Sequence, residues 1–319
     1  MIAQRARSSR KSGSIALWRT LRTPNLRHPK VRPATFMNIS GTTRVFLILG
    51  DPVEQVRAPE AFNHLFAAHG IDAVLVPANV PAAELGSFVT QVLKARNIDG
   101  LWLAIPHKTS MVELLDHCDR LGRSAGAVNA ARRNIDGSLE GALFDGVGFT
   151  KALDHWGIAI TGRRALVVGV GGGGVAIATS LAARGAARIA LFDSTPGRTE
   201  AVATKLSGEF GVEVVSVASP DPAGYDLVVN ATPLGLKAGD PLPFDVARLD
   251  ADTAVVDILM KNQPTPLLRA CHARGITAHP GFEMMVQQVP EYLAFFGFDA
   301  LAAAVQADSS EVRALFEAG

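Results

Sequence analysis

The chain has 319 residues, 48% hydrophobic and 19% charged, with a net charge of +1; that length and apolar share imply a globular protein large enough for two cored domains. Residues 1–40 carry nine Lys or Arg and no acid, leaving 22 basic against 30 acidic residues in the body, and an acidic body argues against a nucleic-acid partner. No apolar run reaches membrane-spanning length, no Cys/His cluster has metal-ligand spacing, and two cysteines, Cys118 and Cys271, are too few for a disulfide framework and suit a reducing cytoplasm.

The Arg- and Ser-rich segment 1–40 has no hydrophobic periodicity and reads as a disordered basic tail. A transit peptide and an over-extended start, with Met37 just ahead of the first credible strand, are the two readings of it. Thr43–Gly50 is a short apolar strand closed by a Gly-Asp-Pro turn. A helix with a glycine stop follows over Ala58–Gly70, then a strand at Ala73–Pro77 and a helix over Pro81–Ala95 with Pro in its first turn. A third strand over Asp99–Pro106 and a helix over Thr109–Cys118 complete a βαβα alternation, which predicts a parallel sheet covered by helices. A helix over Phe149–Trp156 leads into a second unit.

That second unit carries the densest signal. Arg164–Gly169 reads as a buried strand, Val175–Arg184 as the next helix, and Ala187–Phe192 as the next strand. Between the first two lies Gly169-Val170-Gly171-Gly172-Gly173-Gly174, and Asp193 stands 19 residues beyond Gly174, at the tip of the second strand. Such glycines let the backbone turn tightly and approach a pyrophosphate, and the helix N-terminus offers it N–H groups and a positive dipole end. A carboxylate at the second strand's tip accepts adenosine ribose hydroxyls and repels a 2′-phosphate, so the spacing predicts NAD, with NADP possible because Arg198 is close by. Later strands are predicted at Asp226–Asn230 and Thr253–Asp257. Gly281–Phe298 is an amphipathic helix that Pro290 should end or kink.

A nicotinamide enzyme needs a group to handle a proton. Lys108, after Ile105-Pro106-His107, and Asp145, before Gly146, both fall at turns or element ends of the first unit, where catalytic groups are often carried. Over residues 42–299 the chain resembles the shikimate/quinate dehydrogenase family. The resemblance rests on Gly50-Asp-Pro52, Ile105-Pro-His-Lys108, Gly126-Ala-Val-Asn129, Asp145-Gly-Val-Gly148, the glycine loop, Asn230-Ala-Thr-Pro-Leu-Gly235, Thr265-Pro-Leu-Leu268 and Gly281-Phe-Glu-Met-Met-Val-Gln-Gln288. It implies that Lys108 and Asp145 are the catalytic pair, that Asn129 and Gln288 contact substrate, and that Asn230, Thr232, Pro233 and Gly281 lie along the cofactor with Gly169, Gly171, Gly172, Gly173, Gly174 and Asp193. It also implies reversible hydride transfer between nicotinamide and a ring hydroxyl or ketone.

The departures from the family pattern fall on substrate recognition. Family members usually have Ser-x-Ser-Pro, whose hydroxyls bind a carboxylate, where this chain has Val56-Arg57-Ala58-Pro59. The family's Asn-x-Thr reads Trp102-Leu103-Ala104, its Asn-Thr-Asp reads Leu143-Phe144-Asp145, and a Tyr expected after Asp257 is replaced, with Met260 the candidate position. Each lost hydrogen bond to a charged group costs roughly 1.5–3 kcal/mol. Two explanations stand open: Arg57 replaces the serines and pairs with the carboxylate, or the substrate is less polar and packs against Trp102 and Phe144. Solvated-turn Arg57 and core-packed Trp102 and Phe144 are the plainer readings of the same residues.

The expected architecture is therefore α/β in two domains. Residues 41–145 form a substrate-binding domain on a parallel or mixed sheet, 146–279 a Rossmann-type dinucleotide domain, and 280–319 C-terminal helices that return to the first domain. The expected function is an NAD-dependent, shikimate/quinate dehydrogenase-like oxidoreductase with altered substrate recognition; a non-catalytic sensor of cofactor or metabolite on the same fold is the second reading. The expected partner is a small cyclic hydroxy acid or alcohol, with no metal and no membrane, in a cytoplasmic monomer or homodimer.

Overall fold

The computed structural model describes residues 39–317, so the reading of the basic segment as a tail lies almost wholly outside the described residues. Two six-stranded sheets organise the chain. The first is built from β1 (Arg44–Gly50), α1 (Ala58–Ala68), β2 (Ala73–Asn79), α2 (Leu85–Val92), β3 (Ile98–Leu103), α3 (His107–Ser110), β4 (His117–Cys118), α4 (Arg120–Ala125), β5 (Ala130–Arg133) and β6 (Leu139–Ala142). Its strand order is β2-β1-β3-β5-β6-β4. β1 runs parallel to β2 and β3, whereas β5 is antiparallel to both β3 and β6. The sheet is thus mixed rather than purely parallel. The β5–β6 hairpin went unread in the sequence because Ala130–Arg133 and Leu139–Ala142 are only four residues each and lack the β-branched run of a strand.

α5 (Asp145–His155) crosses to the second sheet, formed by β7 (Arg164–Val168), α6 (Gly172–Ala183), β8 (Arg188–Phe192), α7 (Arg198–Phe210), β9 (Glu213–Ser216), β10 (Leu227–Asn230), β11 (Ala254–Asp257), α8 (Pro266–His272) and β12 (Ala278–Pro280). All six strands are parallel in the order β12-β11-β10-β7-β8-β9, the doubly wound arrangement that binds dinucleotides where the order reverses, between β7 and β10. The chain then returns through α9 (Phe282–Phe295), α10 (Asp299–Ala307) and α11 (Ser310–Glu317) to the first sheet. There Val286, Val289, Leu293, Leu301, Val312 and Phe316 join Phe46, Phe62 and Trp102 in one apolar core. Of the two expectations for Pro290, that it ends or kinks the helix, the first does not hold, since α9 runs on to Phe295: Val289 before it and Leu293 after it are both buried in that core, and packing outweighs the one helical hydrogen bond that proline cannot make. Among the described residues no helix is long and apolar enough to cross a membrane.

Candidate active site

α5 holds the two sheets' helices at close range because of its glycines. A Cβ on Gly146 would stand 2.2 Å from the carbonyl oxygen of Ala176 on α6, and one on Gly148 would stand 2.4 Å from that of Met284 on α9. Both distances are below any real Cβ contact, so only glycine lets α5 wedge between α6 and α9. This is the physical content of Asp145-Gly-Val-Gly148: the helix starts with Asp145, and its first turn is cut flat on both sides.

Asp145 is consequently fixed at the mouth of the wedge, buried, with its carboxylate filled by two donors. Lys108 Nζ donates to Oδ2 at 2.5 Å, and Asn129 Nδ2 donates to Oδ1 at 3.0 Å. The same Asn129 amide reaches Gln288 Oε1 at 3.5 Å, and its Oδ1 accepts the backbone N–H of Phe144 at 2.9 Å. Four sequence-predicted residues from four parts of the chain therefore converge. Their convergence has local causes: Val128 N–H bonds Lys108 C=O at 2.9 Å, and Leu103 N–H bonds Asn129 C=O at 2.8 Å, which stitches the α3 turn to the start of β5. Lys108 remains 21% exposed at its side chain, so the pair is reachable from the cleft.

Tyr292 of α9 was not singled out by the sequence. Its hydroxyl donates to Asn129 C=O at 3.2 Å, and burial, with Asp145's charge second, holds that phenol protonated far above its ordinary range. No motif marks Tyr292; only the helix periodicity that brings it one turn beyond Gln288 could have found it.

The opposite wall is the glycine loop. Gly169 has φ +95°, and a Cβ there would press to 2.8 Å on the Ala231 carbonyl; Gly174 approaches the Gly169 carbonyl so closely that a Cβ would stand at 1.9 Å. These two glycines close the loop on itself. Gly171 and Gly172 are the open ones: nothing lies within 4 Å of a Cβ on Gly171, and on Gly172 the only neighbour is Lys108 Cδ at 3.9 Å. The cradle at the N-terminus of α6 thus opens toward Lys108, and its unoccluded amides fit a dinucleotide's pyrophosphate. Asp193 sits at the cradle's rim, accepting the N–H of Val170 and of Thr195, each at 2.8 Å, with Arg198 at 3.4 Å. Burial alone would raise this carboxyl, but those N–H groups outweigh it and hold it below the usual aspartate range.

Asn230, at the end of β10, is fully buried and faces the protein rather than the cleft: it donates to Asp257 Oδ1 at 3.0 Å and accepts from the N–H and hydroxyl of Thr232 at 3.0 and 2.6 Å. Asp257, also fully buried, accepts Thr265 Oγ1 at 2.6 Å. This network shapes the turn carrying Ala231 and Thr232, against which Gly169 packs, and leaves Pro233 exposed. Gly281 lies buried against Ile258, where a Cβ would meet its Cα at 2.4 Å.

Two expectations are corrected. Arg57 does not point to the Lys108–Asp145 pair: its guanidinium donates to the carbonyls of Phe316 and Leu315, both at 3.2 Å, and lies over the Phe316 ring, binding the end of α11. Trp102 is 2% exposed and stacks on Phe296 and Tyr292 at 4.2 and 5.2 Å, so it is core and not cleft wall. Phe144 is half-buried and packs edge-on against Tyr292, beside Asp145.

Comparison with known proteins agrees with this geometry. Residues 48–131 match the family model described as the shikimate dehydrogenase substrate binding domain. The chain is 38% identical over 266 residues to a shikimate dehydrogenase (NADP(+)) of Rubrobacter xylanophilus, covering 82% of this chain and 93% of that one. It is 36% identical over 280 residues to that of Acidiphilium cryptum, covering 85% and 99%. Among solved structures, it is similar to the Listeria monocytogenes shikimate 5-dehydrogenase in complex with shikimate and NAD (TM-score 0.76, 26% identity, 84% of this chain and 98% of that one). It is likewise similar to the quinate dehydrogenase of Corynebacterium glutamicum in complex with NAD (TM-score 0.74, 25% identity, 83% and 99%). The two-sheet α/β architecture, the dinucleotide-type second sheet and these similarities together establish that the chain belongs to the shikimate dehydrogenase family of NAD(P)-dependent oxidoreductases.

Proposed function

We propose that the protein catalyses reversible oxidation of a ring hydroxyl to a ketone, with Lys108 and Asp145 as the catalytic pair and Asn129, Gln288 and Phe144 against the substrate. One observation carries the reading: Lys108, whose Nζ bonds Asp145 at 2.5 Å, has its Cδ 3.9 Å from where a Cβ on Gly172 of the glycine cradle would stand. A bound nicotinamide supplies the hydride acceptor or donor. Lys108 exchanges the hydroxyl proton with the substrate oxygen; it is exposed enough to pass that proton to water. Asp145 fixes the ammonium in position and is itself fixed by Asn129. Gln288 Nε2 has no partner among the described residues and is free to donate to a substrate oxygen.

The cofactor is NAD in preference to NADP on this reading, because the Asp193 carboxylate at the cradle's rim repels a 2′-phosphate. The curated relatives named for NADP(+) make the alternative concrete, and Arg198 at 3.4 Å from Asp193 is the residue through which it would act. The test is steady-state turnover of ring alcohols with each cofactor, with Lys108→Ala as control. Turnover that survives in Lys108→Ala at wild-type rate refutes the assignment.

A further inference from the structure

We infer that the substrate is an uncharged ring alcohol or ketone, without a carboxylate or phosphate; the inference rests on the dehydrogenase reading above and names its substrate class. The charges of the site are already spent. Lys108 is the cation of the cluster, and Asp145 neutralises it at 2.5 Å. Asn129 and Gln288 are uncharged amides, and the Asn129 side chain is saturated: both of its hydrogens and its oxygen have protein partners.

The loop after β1 borders the turn that carries Lys108. Asp51 N–H bonds Ile105 C=O at 3.1 Å, and a Cβ on Gly50 would stand 3.5 Å from Ala104 Cβ, so this loop lies against the turn that leads into Lys108. Arg57 is the cation that ends it, and its Nη1 and Nη2 are committed to the Phe316 and Leu315 carbonyls and to Glu60. Swinging it to a substrate anion would orphan two backbone carbonyls at the end of α11. The residues on either side, Val56 and Ala58, are partly buried and pack on the same apolar core as Phe144, Met285 and Tyr292. An anion laid against these side chains would lose its water and meet no counter-charge. An uncharged ring would instead keep the apolar contact with Phe144 and offer hydroxyls to Gln288 Nε2. The reaction balances as an ordinary alcohol oxidation: the carbinol carbon gives its hydrogen and bonding pair to oxidised NAD(P), the hydroxyl proton leaves through Lys108 to water, and the ring departs as the ketone.

The experiment measures kcat/KM of the full chain, with NAD and with NADP, for shikimate and quinate against uncharged rings: cyclohexanediols, inositols, ketohexoses and cyclic ketones. The best uncharged ring exceeds both acids at least tenfold; an acid that comes within tenfold of it overturns the inference. Calorimetric titration of shikimate in the presence of NADH gives a second readout independent of turnover, and a dissociation constant below about 1 mM overturns the inference as well. Arg57→Ala leaves the ratio of acid to uncharged kcat/KM unchanged, whatever it does to stability; a tenfold selective loss on the acids would show Arg57 to be their partner. Should no ring of either class be turned over, the dehydrogenase reading fails and the inference that rests on it falls with it; turnover confined to the acids fails the inference alone.

Discussion

Lys108 and Gly172 face each other across the cleft: among the described residues outside its own helix turn, a Cβ on Gly172 would have Lys108 Cδ as its one neighbour within 4 Å, at 3.9 Å. The space above that glycine separates the glycine loop from the Lys108 side chain. Gly172→Leu fills it without violating backbone geometry, because Gly172 is not among the positive-φ glycines. NADH affinity, read by fluorescence titration, falls by roughly tenfold or more, in the range of 1.4 kcal/mol per decade, while the melting temperature holds. Unchanged NADH binding would place the cofactor elsewhere.

The Lys108–Asp145 pair separates chemistry from binding. Lys108→Ala removes the proton-transfer group and lowers kcat by about 10²- to 10⁴-fold with little change in KM. Asp145→Asn keeps the shape but leaves the ammonium without a counter-charge, and with its oxygen toward Lys108 it turns its NH2 against the Asn129 amide that now donates to Oδ1. Its kcat falls in the same range. Equal losses in kcat and kcat/KM for both variants are the expected signature.

Cofactor choice turns on Asp193. Its carboxylate is held ionised by the Val170 and Thr195 N–H groups, one on each oxygen, so Asp193→Asn removes a full negative charge from the rim and leaves one amide oxygen to accept one of those two bonds. The ratio of kcat/KM with NAD to that with NADP falls by about tenfold, one decade corresponding to 1.4 kcal/mol. An unchanged ratio means that Arg198 or another group discriminates.

Much of this was legible in sequence because it depends on local chemistry. The glycine loop and Asp193 follow from backbone sterics at one strand–helix–strand unit, and four of the six parallel strands of the second sheet follow from short apolar runs such as Leu166–Val168 and Val228–Val229, whereas the short edge strands β9 and β12 were not read. Lys108, Asp145, Asn129 and Gln288 were named in advance, but their meeting depends on α5 fitting between α6 and α9, a three-body packing event that no window of sequence contains. The choice between the two readings of Arg57 and of Trp102 stayed open for the same reason. Arg57 was weighed against its neighbours in sequence, whereas its partners, Leu315 and Phe316, lie some 258 residues away. Trp102 occupies a strand position that faces Ile48 and Ala130 across the sheet, and a tryptophan there packs into whatever helix covers that face, here α9.

Substrate charge is open to a gain-of-function test. Val56→Ser with Ala58→Ser places two hydroxyls at the loop after β1, restoring the pattern usual in the family. Turnover of shikimate rises by about tenfold or more, since each hydrogen bond to a charged group is worth roughly 1.5–3 kcal/mol. Turnover of uncharged rings falls as apolar contact is lost. Equal changes on both substrate classes would mean that residues 56 and 58 do not meet the ring.

The ion pair that holds α11 on α9 sets an acid limit on stability. Glu283, in the first turn of α9, is 2% exposed and accepts two hydrogen bonds from Arg313, at 2.9 and 2.7 Å, and one from Gln287 at 2.7 Å. Burial by itself would raise the Glu283 carboxyl, but the Arg313 and Gln287 donors outweigh it and hold it below the usual glutamate range. A carboxyl depressed on folding stabilises the native state fully above its unfolded pKa, and that contribution is lost as pH falls through the lower, folded value. Glu283→Gln therefore costs about 3 kcal/mol at neutral pH, where it leaves Arg313 facing a neutral amide in a buried site. The cost shrinks as pH falls below the ordinary glutamate range and through the lower, folded value, where the wild-type carboxyl itself takes up its proton. Urea unfolding of both proteins from neutral to acid pH reads this directly: two stability curves that converge on acidification are expected, and curves that stay parallel would show that Glu283 is not the titrating group.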